Sequence, residues 1–156
     1  MKGNPIVIEV LNALLADELS AIDQYMVHAE MYESWGYTKL AEKTEKRAIT
    51  EMKHAEKHIS RILFLEGRPI VTAPIEVQIG EETPQMFQND CESESKAILA
   101  YNRAIQRVGE LNDYGTQELL KSILKDEEDH IDWIEAQIDQ IKVIGLSNYL
   151  VEQTGE

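Results

Sequence analysis

Glu51 and His54 stand three residues apart, a spacing that puts a carboxylate and an imidazole on one face of an α-helix. Oxygen and nitrogen donors paired in this way are ligands for divalent first-row metals. Glu127 and His130 repeat the pair, each 76 positions after its counterpart. The same offset carries Glu18 onto Glu94, Ala21 onto Ala97, Ile22 onto Ile98 and Tyr25 onto Tyr101. A repeat of this kind reads as two helical hairpins of one plan, packed about a pseudo-twofold axis. Each hairpin contributes one lone Glu and one Glu-x-x-His. A single Glu-x-x-His is common on acidic helices, and four exposed acids with two surface histidines would be the plain alternative. Two such motifs with two further acids at one offset outweigh it.

A Glu from each of two helices and a Glu-x-x-His from each of two others is similar to the ligand set of ferritin-like di-iron carboxylate bundles. Four carboxylates buried together are very costly unless compensated. Two divalent ions would cancel their four negative charges. Glu51 and Glu127 are expected to bridge the metals, with Glu18 and His54 completing one ion and Glu94 and His130 the other. Iron or manganese suits these donors, with zinc a competitor because it stands above both in the affinity order. Tyr25 and Tyr101 lie two turns beyond Glu18 and Glu94, placed either to donate an electron or simply to hydrogen-bond a buried carboxylate. Ligating histidines give their second N–H to an acceptor, a role open to Asp126 for His54 and, at the same offset, to Thr50 for His130. His58 has Ile134 as its offset partner and reads as a core histidine. Cys91, the only cysteine, excludes an internal disulfide and reads as a small core filler.

These groups need four long helices to carry them. Asn4-Pro5 opens the first, with Asn as cap and Pro where its missing N–H costs nothing. Apolar Val7, Val10, Leu11, Leu14, Leu15, Ile22 and Tyr25 then recur at helical spacing. Gly36 ends this helix of about 5–35, and Thr38 is placed to cap a second over about 39–66 that Gly67 stops. Thr83-Pro84 repeats the Asn-Pro start of a third over about 84–112. Asp113 caps a fourth over 114–144, and a short fifth at 146–152 must dock to persist, because it is too brief to be stable alone. The tail from Gln153 to Glu156 is expected to fray. Between the second and third helices, residues 67–82 lack helical character. Extended at ~3.3 Å per residue they span roughly 50 Å, enough to cross the length of a 28-residue helix, about 42 Å. The fold class is therefore all-α: one domain over 1–156, a ferritin-like four-helix bundle with a long crossover between helices two and three and a short fifth C-terminal helix.

Composition narrows the function. The chain has 156 residues, is 43% hydrophobic and carries a formal charge of −14. That charge argues against nucleic acid or an anionic membrane as partner and suits small cations. No apolar run approaches the ~20 residues of a membrane span, and no signal-peptide core follows Met1. The expected location is the cytoplasm.

Met52 is turned about 100° from Glu51 and cannot serve the same site. Together with Ala48, Ile49, Ala55 and Ile59 it reads as an apolar stripe facing away from the metals. Such a stripe is either a subunit interface or the seat of a flat cofactor with the thioether as ligand, since methionine ligates haem iron.

The stretches MKGNPIVIEVLNALLADELSAIDQY, MKHAEKHISRILFLEG and DEEDHIDWIEAQIDQIKVIGLSNYL resemble the bacterioferritins from Met1 to about Leu150. The resemblance implies a hollow homo-oligomeric shell of twenty-four subunits built from haem-bridged dimers. It implies a ferroxidase that oxidises ferrous iron with O2 or H2O2 and stores a ferric mineral. It further implies haem b shared between two subunits through Met52 of each, and a ferredoxin-type reductant for iron release. Family ligands carry over at Glu18, Glu51, His54, Glu94, Glu127 and His130. The chain departs from some members at Lys46 and Thr50, where they have a histidine and an acid that form an extra iron site on the inner wall. The competing reading is a di-iron peroxidase that protects against peroxide without major iron storage. Another is a haem-carrying shell with a structural dimetal site.

Overall fold

A computed structural model describes residues 1–71 and 76–155. Among these residues the architecture is all-helical: α1 (Pro5–Ser34), α2 (Thr38–Phe64), α3 (Thr83–Glu110), α4 (Tyr114–Ile144) and α5 (Leu146–Glu152). The helices α1 and α2 form one hairpin and α3 and α4 the other, with α1 packed on α3 and α2 on α4. Among the described residues no helix is long and apolar enough to cross a membrane.

Local chemistry sets the ends. The Asn4 side chain accepts from Ile6 N–H, and Asp113 accepts from Thr116 N–H, so both expected caps form. The two threonines expected to cap do not: Thr38 and Thr83 are already helical, behind Tyr37 and Glu82, which make no side-chain cap. In the turn after α1, Gly36 takes φ +82° and its backbone hydrogen bonds close the corner instead. At the end of α2 the left-handed residue is Glu66 (φ 59°) rather than Gly67. Gly67 is needed for closeness, since a Cβ there would lie 2.7 Å from Ile8 Cγ2.

The crossover runs along α1. Asn12 binds Arg68 and Ile70 backbone, the Gln78 N–H donates to Gln24, and the Gly80 N–H donates to His28. From Asn12 to His28 is roughly 24 Å of helix at 1.5 Å per residue. The chain thus returns to the far end before α3 starts, which makes α2 and α3 parallel.

Two apolar clusters fill the bundle. One is built on Leu11, Leu15, Ile62, Val108, Leu120 and Ile123. The other joins Tyr32, Leu40, Met86, Phe87 and Ile134 with Tyr149 of α5, whose hydroxyl donates to Gln137 at 2.6 Å. Cys91 packs partly buried against the second cluster. Burial of Tyr149 is what docks α5, and the Lys39 N–H holds Gln153 O at 3.1 Å, so Gln153 is tied rather than frayed. Glu156 lies outside the described residues.

Candidate metal centre

Polar side chains interrupt the apolar filling at mid-bundle. Glu18, Glu51, His54, Glu94, Glu127 and His130 come together from four helices, the most exposed of them, His130, at 8%. One ligand atom from each of Glu18, Glu51, His54 and Glu127 lies within 4.8 Å of the others. Glu94 and His130 sit alongside, with His130 Nδ1 3.0 Å from Glu94 Oε1. Buried Glu18 Oε2, His54 Nδ1, Glu94 Oε2 and Glu127 Oε1 have no hydrogen-bond partner. Unpaired buried acceptors of this kind are expensive, and donors converging on one space are what a cation would satisfy.

The surrounding hydrogen bonds cross between hairpins. Tyr25 of α1 donates to Glu94 of α3 at 2.5 Å, and Tyr101 of α3 donates to Glu18 of α1 at 2.5 Å. The pseudo-twofold repeat is therefore cyclic in space, each tyrosine fixing the lone carboxylate of the other hairpin. His58, fully buried, lies with Nε2 2.7 Å from the Tyr101 hydroxyl and stacks on its ring. His54 points Nδ1 at the carboxylates and holds Asp126 Oδ2 through Nε2 at 2.8 Å. Thr50, by contrast, spends its hydroxyl on Lys46 O of its own helix, so His130 lacks the mirror-image support. Its ring is stacked on Trp133 instead, centroids 6.1 Å apart.

One group was absent from the motif reading. Arg47, 8% exposed, extends into the centre, contacts Glu51, and reaches Glu127 Oε2 at 2.6 Å and Glu94 Oε1 at 3.6 Å. Its offset partner is Ile123, which lies in the apolar core, so repetition gives no sign of it. The available signal was its place one turn before Glu51, which shares the same face.

Charge in the cluster is shared out by these contacts. Burial, and then the Glu51 charge, pushes the Glu18 carboxyl well above the usual range, and burial with the Glu94 contact raises Glu127 to about 11. Burial works against a charged His54, but Glu127, Glu18 and Glu51 overcome it and raise the imidazole to about 12. Burial likewise opposes ionised Glu51 and Glu94. The neighbouring Glu18 and His54 hold Glu51 low, and the neighbouring Glu127 and His130 hold Glu94 low, with the Arg47 charge assisting, and Glu94 falls to about 2.

Chain residues 8–144 match the model of the ferritin-like domain. The chain is 42% identical to a bacterioferritin of Streptomyces coelicolor over 99% of its own length and 94% of that protein's. It is 40% identical to a bacterioferritin of Brucella melitensis, covering 96% and 92%, and 40% identical to a bacterial ferritin of Synechocystis, covering 98% and 99%. The chain belongs to the bacterioferritin family.

Two hollows reach the bacterioferritin centre from opposite sides. One of about 250 Å³ opens between α1 and α3 beside the crossover, lined by Asp17, Glu18, Gln24, Gln78 and Glu94 among others. The other, about 440 Å³, opens between α2 and α4 and is lined by Lys43, Lys46, Lys53 and Lys57 with Arg47 and His130. Both Lys46 and Thr50 border it. On the outer side Met52 is 45% and Ile49 41% exposed, with Met26 of α1 also exposed. Of the other expected stripe members Ala48 is half-buried, Ile59 is half-buried against the first apolar cluster, and Ala55, 3% exposed, does not belong to the stripe. Ala55 follows Glu51 by four residues, so the helix turns it inward with Glu51 and His54.

Proposed function

We propose that this protein is an iron-storage ferroxidase: it oxidises ferrous iron with O2 or H2O2 at the mid-bundle centre and holds the ferric product inside a hollow homo-oligomeric shell of twenty-four subunits in the cytoplasm. One observation carries the reading. Four carboxylates and two imidazoles from four helices converge in a buried space with acceptor atoms left unpaired, an arrangement that divalent cations would satisfy. The names of the relatives, bacterioferritin and bacterial ferritin, support the same substrate.

Each side chain has a part. Glu51 and Glu127 offer one oxygen to each half of the centre and are assigned as the shared ligands. Glu18 with His54, and Glu94 with His130, complete the halves. Asp126 orients His54, while Tyr101 and Tyr25 hold the terminal carboxylates Glu18 and Glu94 by hydrogen bonds. Glu18, Glu127 and His54 hold protons in the metal-free protein and must release them as ferrous ions enter. With peroxide as oxidant, two ferrous ions each give one electron, and peroxide with two protons becomes two waters.

Haem b fits the outer face, because Met52 presents an exposed thioether beside exposed Ile49 while the ligand cluster lies on a different side of α2. Met52 of each of two subunits would hold the haem, which would supply one-electron transfer for iron release with a ferredoxin-type reductant as the electron source. The test is to add ferrous iron anaerobically to the metal-free protein and then titrate O2 or H2O2 while recording iron oxidised and oxidant consumed. Saturable oxidation of about two irons per peroxide is expected from the electron balance. Oxidation no faster than in protein-free buffer would overturn the reading.

A further inference from the structure

The two halves of the centre are not equivalent, and Arg47 is the reason. His54 Nδ1 faces Glu51 Oε2 at 3.7 Å and Glu127 Oε1 at 3.4 Å. The opposite oxygens, Glu51 Oε1 and Glu127 Oε2, both face Arg47 Nη2, which also lies 3.6 Å from Glu94 Oε1. Each shared carboxylate thus turns one oxygen toward the Glu18/His54 half and the other toward a guanidinium nitrogen in the Glu94/His130 half. We propose that Arg47 is a resident cation standing in the second metal position, so that the centre loads in two unequal steps and the second requires Arg47 to leave.

This rests on the dimetal reading above and adds an order of events to it. A guanidinium cannot give up its charge by losing a proton, so Arg47 has to move rather than neutralise. Two cations competing for the same three carboxylates at contact distance repel strongly in a poorly solvated interior. The Glu18, Glu51, His54 and Glu127 half carries no such competitor, because the residue equivalent to Arg47 in the other hairpin is buried Ile123.

The route out is visible. Arg47 also borders the 440 Å³ hollow; its buried Nε has no hydrogen-bond partner, and apart from the carboxylates only Asp126 O, 3.3 Å from Nη1, holds the guanidinium. Lys43, Lys46, Lys53 and Lys57 line that hollow together with Asp126 and Asp129. None of the four ammonium groups pairs with a carboxylate within 4.0 Å among the described residues. Contacts with Glu51, Glu94 and Glu127 keep Arg47 inward until a stronger cation displaces it. Charge-assisted hydrogen bonds of the kind Arg47 makes correspond to about ten- to a hundredfold in an equilibrium constant, which sets the scale of the inequality.

The experiment uses zinc, which does not change oxidation state, titrated calorimetrically into the metal-free assembled protein, wild type beside Arg47→Gln and Arg47→Lys. Wild type should bind a first ion and then a second at least ~10-fold more weakly. In Arg47→Gln the gap between the two affinities should shrink to about threefold, and Arg47→Lys should fall between. Melting gives an independent reading that survives poor expression of one variant. Arg47→Gln should lower the melting temperature of the metal-free protein and show a larger rise than wild type on saturation with zinc. Two equal wild-type affinities, or a gap that Arg47→Gln leaves untouched, would overturn the proposal while leaving the dimetal centre standing. Zinc binding that neither Glu18→Ala nor Glu127→Ala weakens would instead remove the dimetal reading, and this proposal with it.

Discussion

Asp126→Ala tests how the centre depends on a residue that would not touch the metals. His54 can offer an Nδ1 lone pair to a metal only if Nε2 carries the ring proton, and Asp126 Oδ2 at 2.8 Å selects that tautomer. Loss of an acceptor behind a ligating histidine costs typically 10–100-fold in metal affinity, about 1.4–2.7 kcal/mol. Asp126 has a side chain 44% exposed, and solvent screening places the effect toward the lower end, near tenfold. The assay is zinc or cobalt titration of the metal-free protein, with the initial rate of ferrous oxidation recorded in parallel. Because His54 serves the half that lacks Arg47, the loss should fall on the first ion bound. Thr50→Ala is the matched control: its hydroxyl is committed to Lys46 O and leaves His130 unsupported, so metal affinity should change less than twofold. An Asp126→Ala effect below twofold, or an equal effect from Thr50→Ala, would refute the argument.

Four further outcomes follow from the same geometry. Glu127→Ala removes a shared ligand and should abolish rapid iron oxidation; a wild-type initial rate would reject the assigned centre. Met52→Leu keeps the volume of an exposed side chain and should lose haem, read as loss of its absorbance bands, with assembly and initial oxidation unchanged; a retained spectrum would exclude the thioether. His58 has its pKa lowered by burial to about 3. The unfolded chain takes up a proton near pH 6.5 that the native protein refuses, so its contribution is complete above that pH and is lost as pH falls toward 3. His58→Leu should flatten this acid limb by up to about 1.4 kcal/mol per pH unit in denaturant titrations, and parallel limbs would contradict it. Finally, Lys46→His with Thr50→Asp should create a cation site at the border of the lysine-lined hollow. Crystals soaked in ferrous iron should show an added ion there, and the same ion in unmutated protein would disprove the need for the change.

The sequence by itself determined the six groups of the centre, because a three-residue spacing and a single 76-residue offset are properties of the chain that survive any packing. It also determined the crossover, since sixteen residues without helical character must go somewhere and their length fits the bundle. Helix ends were less legible: Thr38 and Thr83 have capping chemistry, yet both are the first residues of their helices, behind Tyr37 and Glu82, and so stand one position too late to cap. Only the tertiary structure decided how the hairpins reach across to each other, with Tyr25 and Tyr101 exchanging carboxylates, and which face Ala55 joins. Arg47 belongs to the same class. An offset registers what is repeated, and Arg47 is opposed to Ile123, so its role exists only where α2, α3 and α4 bring Glu51, Glu94 and Glu127 around one guanidinium.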